Sequence, residues 1–180
     1  MPHNGSNDQR QTTNDQRLTV MKRFFFIFLV LASIAVVLDS CMTEAQSTPE
    51  LYYGAKLFRT NGPSGRDTLR LNDSLQIGDS LLWPLAFYTR FNTLTSATAS
   101  ADKEAYSYWF SCDSNVVAVL TEASKPEEGV LCFQEGFSMI PVTFCFVPKK
   151  SGRERITFVV VNTAKQDFST RSFAFDFIVK

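Results

Sequence analysis

The chain has 180 residues, in which 18 Lys+Arg balance 18 Asp+Glu, and 44% of the residues are hydrophobic, including 17 phenylalanines. Charge that cancels without a basic stripe speaks against a nucleic-acid partner, and no block of like charge marks a disordered tail. The apolar content is enough to fill one sizeable core.

Residues 1–20 are strongly polar, and this segment is expected to be untranslated or removed, with Met21 as the true start. Lys22 and Arg23 then precede an apolar run of 15 residues, Phe24 to Leu38. A membrane-spanning helix needs about 20 apolar residues, whereas the hydrophobic part of a cleaved signal needs roughly 7–15. The run ends in Leu38-Asp39-Ser40-Cys41, which resembles the bacterial lipobox, with Asp39 where a small or apolar residue usually stands. The resemblance implies a signal peptide over 21–40 and a diacylglycerol on the Cys41 thiol, so that Cys41 becomes the first mature residue. An uncleaved single-pass anchor and an ordinary secretory signal are the competing readings.

Cleavage before Cys41 has chemical consequences. Removing the leader's four cations and three anions leaves 14 Lys+Arg against 15 Asp+Glu. It also removes His3, the sole histidine. Without imidazole there is no Ser-His-Asp or Cys-His mechanism and no zinc held through histidine. Cys112, Cys132 and Cys145 remain in an oxidising compartment, where one disulfide with three alternative pairings is available. No Cys-x-x-Cys spacing supports redox or zinc chemistry, and each cysteine lies in apolar surroundings that suit a small buried hydrophobe.

Met42 to Glu50 is small and polar and reads as a tether over 41–50, ahead of a domain over 51–180. Leu51 to Thr60 reads as a first strand and Asn61 to Asp67 as a loop. A six-residue pattern follows, beginning at Asp67, Asp73 and Asp79, with alternating apolar pairs Leu69/Leu71, Leu75/Ile77 and Leu81/Trp83. That alternation predicts short half-buried strands joined by tight turns. The three aspartates form no Asp-x-Asp-x-Asp loop that would favour calcium.

Leu81 to Phe91 reads as a long apolar strand in which Pro84 demands a local edge or a bulge. Asn92 to Glu104 reads as a loop or weak strand. Tyr106 to Cys112 reads as a strong strand with Tyr106, Tyr108, Phe110 and Cys112 on one face and Trp109 on the other. Ser114 to Ser124 fits either a short helix capped by Asp113 or Ser114, or a strand. Lys125 to Gly129 is a turn, Val130–Phe133 and Met139–Val147 are strands, and Pro148 to Arg153 is a turn. Arg155–Asn162 and Ser172–Lys180 are the last strands, with Phe173, Phe175, Phe177 and Val179 facing inward.

About eight short strands with at most one helix predict an all-β antiparallel sandwich of about seven to nine strands. Leu75-Gln-Ile-Gly-Asp-Ser-Leu81, Phe146-Val-Pro-Lys-Lys-Ser-Gly-Arg153, Phe158-Val-Val-Val-Asn162 and Phe173-Ala-Phe-Asp-Phe177 carry a further resemblance. With the lipobox and tether, they are similar to small immunoglobulin-like lipoproteins of Bacteroidetes envelopes, over roughly residues 67 to 180. The resemblance implies a non-enzymatic, lipid-anchored binding or scaffold module whose partners are the membrane and an envelope protein or glycan. It implies an outer-membrane location, and the scarcity of acidic residues after Cys41 (Glu44 alone) favours the periplasmic side.

Candidate sites are few. Trp109, flanked by Ser107 and Ser111, is the first ligand-binding candidate, since an exposed indole stacks on sugar rings or anchors a protein contact. Tyr88 is the second. The alternative function is a carbohydrate-binding accessory protein that uses Trp109 and neighbouring tyrosines as exposed aromatics. Gly78-Asp79-Ser80-Leu81 spells the signature of GDSL esterases, but with no histidine left the Ser80 hydroxyl stays an ordinary alcohol. Lys149, Lys150, Arg153 and Arg155 form a basic hairpin tip, and Glu127/Glu128 and Asp102/Glu104 are carboxylate pairs in turn-like sequence. No catalytic residue, metal or organic cofactor is expected.

Overall fold

Period-two alternation governs the fold, and the last strand shows it most clearly. From Phe173 to Val179, every second side chain points to the core and the residues between point to solvent. The computed structural model describes residues 45–62 and 65–180. Cys41, the segment over 21–40 and residues 1–20 lie outside the described residues.

Two antiparallel sheets face each other. The first contains β1 (Glu50–Tyr53), β2 (Lys56–Gly62), β3 (Gly65–Arg70), β4 (Leu81–Tyr88), β6 (Tyr106–Ser111) and β8 (Met139–Pro148), in the order β3-β2-β4-β8-β6, with β1 also beside β4. The second contains β5 (Leu94–Ala101), β7 (Val130–Cys132), β9 (Gly152–Asn162) and β10 (Thr170–Val179), in the order β10-β9-β5-β7. From β4 to β9 every connection crosses from one sheet to the other. The neighbours β1/β2-β4-β8-β6 reproduce the A-B-E-D sheet of the immunoglobulin fold, and β5-β9-β10 reproduce its C-F-G sheet. The additions are β3 beside β2 and β7 beside β5.

Aromatic rings stitch the sheets together. The Trp83 ring meets Phe158, Phe175 and Phe177 of the opposite sheet edge-on at 5.9, 4.8 and 5.9 Å. Phe144 meets Phe158 at 4.9 Å, and Phe146 meets Phe177 at 5.4 Å. Edge-to-face pairs of this kind contribute about 0.5–1.5 kcal/mol each beyond the area they bury.

Pro84 sits in a strand with neighbours on both sides, and the edge that the sequence demands is local. Its carbonyl accepts from the Gly54 N–H at 3.0 Å, so its nitrogen faces the same side. There β1 has ended and β2 has not begun, and no ladder bond is lost. The other differences from the sequence reading have similar tertiary causes. Asn61 and Gly62 end β2 and residues 65–67 begin β3 rather than forming a loop, with Gly62 opposite Gly65 and the ladder shifting between Arg59 and Gly62. The middle unit of the Asp-led pattern forms no strand and makes a single bridge, Leu75 to Val179. Asn92 to Glu104 holds a full strand, β5, between β7 and β9. Its small Ala97 and Ala99 are buried against the core, so packing overrides weak intrinsic preference. The segment after Cys112, by contrast, takes the helical alternative offered by its sequence: it begins with the short helix α1 (Ser114–Val117), whose N-cap Asp113 accepts from the Val116 N–H at 2.9 Å. Cys112, Cys132 and Cys145 are all free thiols, so no disulfide forms among them.

The domain also starts before Leu51. The Ser47 hydroxyl accepts from the Arg90 and Phe91 N–H groups at 3.1 and 3.0 Å. Asn162, 3% exposed, donates from Nδ2 to the Ser47 carbonyl at 2.7 Å and to Thr89 Oγ1 at 2.9 Å, and its Oδ1 accepts from the Ala164 N–H. Half of the expected tether is therefore docked on the sandwich.

Two predictions follow from these contacts. Asn162→Ala strands a buried carbonyl and a buried N–H, and should lower unfolding free energy by about 2–3 kcal/mol in urea denaturation. On the outer face of β10, hydrogen bonding from Arg155, with Arg153 also in contact, holds the Asp176 carboxyl down at about 2. A lowered folded value stabilises above the ordinary carboxylate range, and that contribution disappears as pH falls through about 2. The stability of Asp176→Asn, followed by denaturation from pH 5 downward, should therefore fall less steeply with acid than that of the native chain.

Candidate functional site

The sequence places Trp109 on the face of β6 opposite to Tyr108 and Phe110, and the structure agrees. Tyr106 and Phe110 are buried, whereas Trp109 is 36% exposed between the outward Ser107 and Ser111. Trp109 pairs across the ladder with Cys145, which is itself only 2% exposed although it points outward. The indole thus combines cover for a small residue with an open face.

An open cleft of about 470 Å³ runs along the free edge of β6, lined there by Ser107, Tyr108 and Trp109. Its rim comes from three separate connections. Lys103 belongs to the β5–β6 turn, which is fixed by the Asp102 carbonyl accepting from the Ala105 and Tyr106 N–H groups. Glu127 and Glu128 come from a 3-10 turn, Pro126–Glu128, that lies beside β6. Lys149, from the β8–β9 turn, donates from Nζ to the Lys103 carbonyl at 3.2 Å. The 3-10 turn can close on β6 because residue 129 is glycine. Its φ is +77°, and a Cβ there would lie 2.8 Å from Tyr108 Cε2. The turn also shields part of the free edge of β6, which as the outermost strand has only β8 as a ladder partner.

The cleft therefore offers an apolar ring face, hydroxyls, two ammonium groups and two carboxylates. Beneath it the Tyr106 hydroxyl is buried without a hydrogen-bond partner. Burial, with Glu154 nearby, raises its pKa above the ordinary phenol range, so it stays a neutral hydroxyl.

Tyr88 shares the outer face of the first sheet but not the cleft. Trp109 lies across from Cys145 and Cys145 from Leu82, six residues before Tyr88 on β4, or about 20 Å along the strand. Tyr88 instead rests against Tyr52, with ring centroids 5.6 Å apart. The two candidates do not form one site.

The remaining motifs have structural roles. Gly78, at φ +84°, turns the chain into β4, and the Asp79 carboxylate accepts from Arg59 Nη2 at 2.9 Å and from the Gln76 N–H at 3.0 Å. The Ser80 N–H donates to Asn61 Oδ1 at 2.8 Å. Asp73 accepts from the Arg70 N–H, so Asp73 and Asp79 each serve a separate turn. Arg153 and Arg155 are drawn to Asp176, away from Lys149, and the basic tip is not a single cluster. Asp102 accepts from the Glu104 N–H within one turn. Among the described residues, no group of three or more His, Cys, Asp or Glu side chains is placed to hold a metal ion. Burial pushes the Cys112 and Cys145 thiols up, which keeps them protonated and poorly nucleophilic.

Sequence reasoning found Trp109 but not its company. Glu127/Glu128 and Lys149 stood out separately, for other reasons, and Lys103 not at all. Each comes from a different connection, and no spacing in the chain announces that they meet.

No family model and no curated protein sequence matches the chain. Among solved structures, a family 123 glycoside hydrolase from Clostridium perfringens, described in a structural analysis of glycolipid glycan hydrolysis, is similar over 74% of this chain. The identity is 13% and the TM-score 0.38, and the match spans 27% of the length of that enzyme.

Proposed function

We propose that this chain is a non-enzymatic binding module of the bacterial cell envelope, held at the outer membrane, on its periplasmic side, by a lipid on Cys41. The observation that carries the binding role is Trp109, open to solvent in the lining of a cleft whose rim is assembled from three connections. A protein contact or a sugar can use such a ring, because either one desolvates an aromatic face and pairs with polar groups around it.

The cleft's composition favours the carbohydrate reading. A pyranose presents axial C–H groups to an indole face and hydroxyls to its surroundings. Here the surroundings are Ser107, Glu127, Glu128, Lys103 and Lys149. The non-enzymatic reading is supported by the mature sequence, which holds no histidine once the leader is removed, and by the turn role of Asp79 and Ser80.

Three outcomes are expected. On a glycan array the chain should retain a defined glycan, and Trp109→Ala should weaken that binding by about tenfold or more, the equivalent of roughly 1.4 kcal/mol. Tyr88→Ala, far from the cleft, should leave it unchanged. Retention that survives Trp109→Ala would rule out this site. A fluorophosphonate probe should leave Ser80 unlabelled, and stoichiometric labelling would overturn the non-enzymatic reading. The intact mass of detergent-extracted protein should match a chain that starts at a diacylated Cys41, and an unmodified Cys41 behind an intact leader would defeat the lipoprotein reading.

A further inference from the structure

The point at which the chain enters the sandwich fixes which end faces its anchor. Gln46 and Ser47 are already docked: the Lys165 N–H donates to Gln46 Oε1 at 2.9 Å, and the Ser47 N–H donates to Asn92 Oδ1 at 2.9 Å. Only five peptide links separate Cys41 from Gln46. Fully extended they span about 18 Å. A lipid on Cys41 therefore holds this end of the sandwich close to the bilayer and leaves little freedom to tumble.

The same end exposes two phenylalanines. Phe91, in the β4–β5 loop, is 54% exposed, and Phe168, in the β9–β10 loop, is 48% exposed. The loops are joined to each other, with the Thr163 N–H donating to the Thr93 carbonyl at 2.9 Å and the Thr93 N–H to Thr163 Oγ1 at 3.1 Å. Phe168 closes a 3-10 turn, Gln166–Phe168, whose first residue has φ +53°, the one positive φ among the described non-glycine residues. Side-chain-bearing residues disfavour that conformation, and such outliers gather where a loop is held for a purpose other than stability. The Arg90 guanidinium lies 4.9 Å from the Phe91 ring centroid, and Arg171 stands 5.2 Å from that of Phe173 at the start of β10. Glu50, Asp113, Glu135 and Asp167 are acidic groups toward the same end, so ring burial rather than net charge would drive contact.

We propose that this end is a membrane-contacting face, on which Phe91 and Phe168 enter the interfacial layer of the bilayer and Arg90 and Arg171 meet lipid phosphates. The proposal rests on the lipidated Cys41 of the preceding reading. Aromatic rings with adjacent cations suit that layer, where one part of the contact is apolar and the other wet. It also orients the cleft. β8 starts at this end with Met139, and Cys145, opposite Trp109, is six residues further on, about 20 Å away from the bilayer.

The test uses the full chain, expressed with its leader and reconstituted into phosphatidylethanolamine–phosphatidylglycerol vesicles, with and without brominated acyl chains. Phe91→Trp and Phe168→Trp each place a reporter at an exposed position that tolerates a larger ring. The emission each variant adds over the native chain should fall by about half with brominated lipid. The native emission, from Trp83 in the core and Trp109 in the cleft, should hardly change. Added emission that is equally bright in both vesicle types, from a chain that floats with the vesicles, overturns the contact while sparing the anchor. A chain that stays in the soluble fraction with an unmodified Cys41 defeats the anchor and this contact together.

Discussion

Trp83 is the residue on which the two sheets agree. Its ring is fully buried, touches Phe158, Phe175 and Phe177 of the opposite sheet, and leans on Tyr53 of its own. An indole N–H in such a place must find an acceptor, or burial costs about 1–3 kcal/mol. The acceptor is the Gly54 carbonyl, at 2.9 Å. Gly54 lies in the break between β1 and β2, and its own N–H serves the carbonyl of Pro84, the next residue after Trp83. One dipeptide therefore couples three requirements. The core needs a large ring, the ring needs a backbone acceptor, and the proline needs a place where no ladder bond is asked of it. The break between β1 and β2 meets the last two at once, which is why a proline is tolerated in a strand with neighbours on both sides.

That coupling explains what the sequence made legible. Alternation is local, and where it runs through a longer segment it marks a strand: β4, β6 and β10 have the facing that Leu81/Trp83, Tyr106/Tyr108/Phe110 and Phe173/Phe175/Phe177 require, whereas the isolated pair Leu75/Ile77 makes only a bridge. The sandwich class follows from many such strands with turn residues between them. What was not legible depends on partners distant in the chain. β5 reads as a loop or weak strand because Thr, Ser and Ala carry little preference, and its place between β7 and β9 decides for the strand. The entry segment reads as tether because nothing in Gln-Ser-Thr-Pro announces that Ser47 will meet Asn162, 115 residues later. The break at Gly54 was hidden for the same reason, since only the position of Pro84 on the neighbouring strand gives it meaning.

Polar bonding and open surface are divided between the two ends of the sandwich. At the entry end, Ser47, Thr89, Asn92 and Asn162 satisfy one another, and a buried network of this kind fixes loop positions because each member left alone would be costly. At the other end, the β5–β6 and β8–β9 turns are held mainly by backbone bonds, and their lysines and the nearby glutamates are left at the surface. The end that the chain enters is the one this network fixes, and the cleft lies at the other.

Trp109 shows how far stability alone accounts for the cleft. Its outward neighbours Ser107 and Ser111 are what an edge strand facing water ordinarily carries. Part of the indole does serve the fold, for Cys145 across the ladder points outward yet is almost fully covered. That cover needs only a side chain of moderate size, and a valine or threonine would supply most of it with a better strand preference than solvent-exposed indole requires. The exposed 36% of Trp109 adds nothing to the core. The tight approach of Gly129 to Tyr108 also brings Glu127 and Glu128 to the lining of the same cleft. The fold explains why a residue covers Cys145. It does not by itself call for the largest aromatic set among charged groups, and that surplus is what the proposed binding role would use.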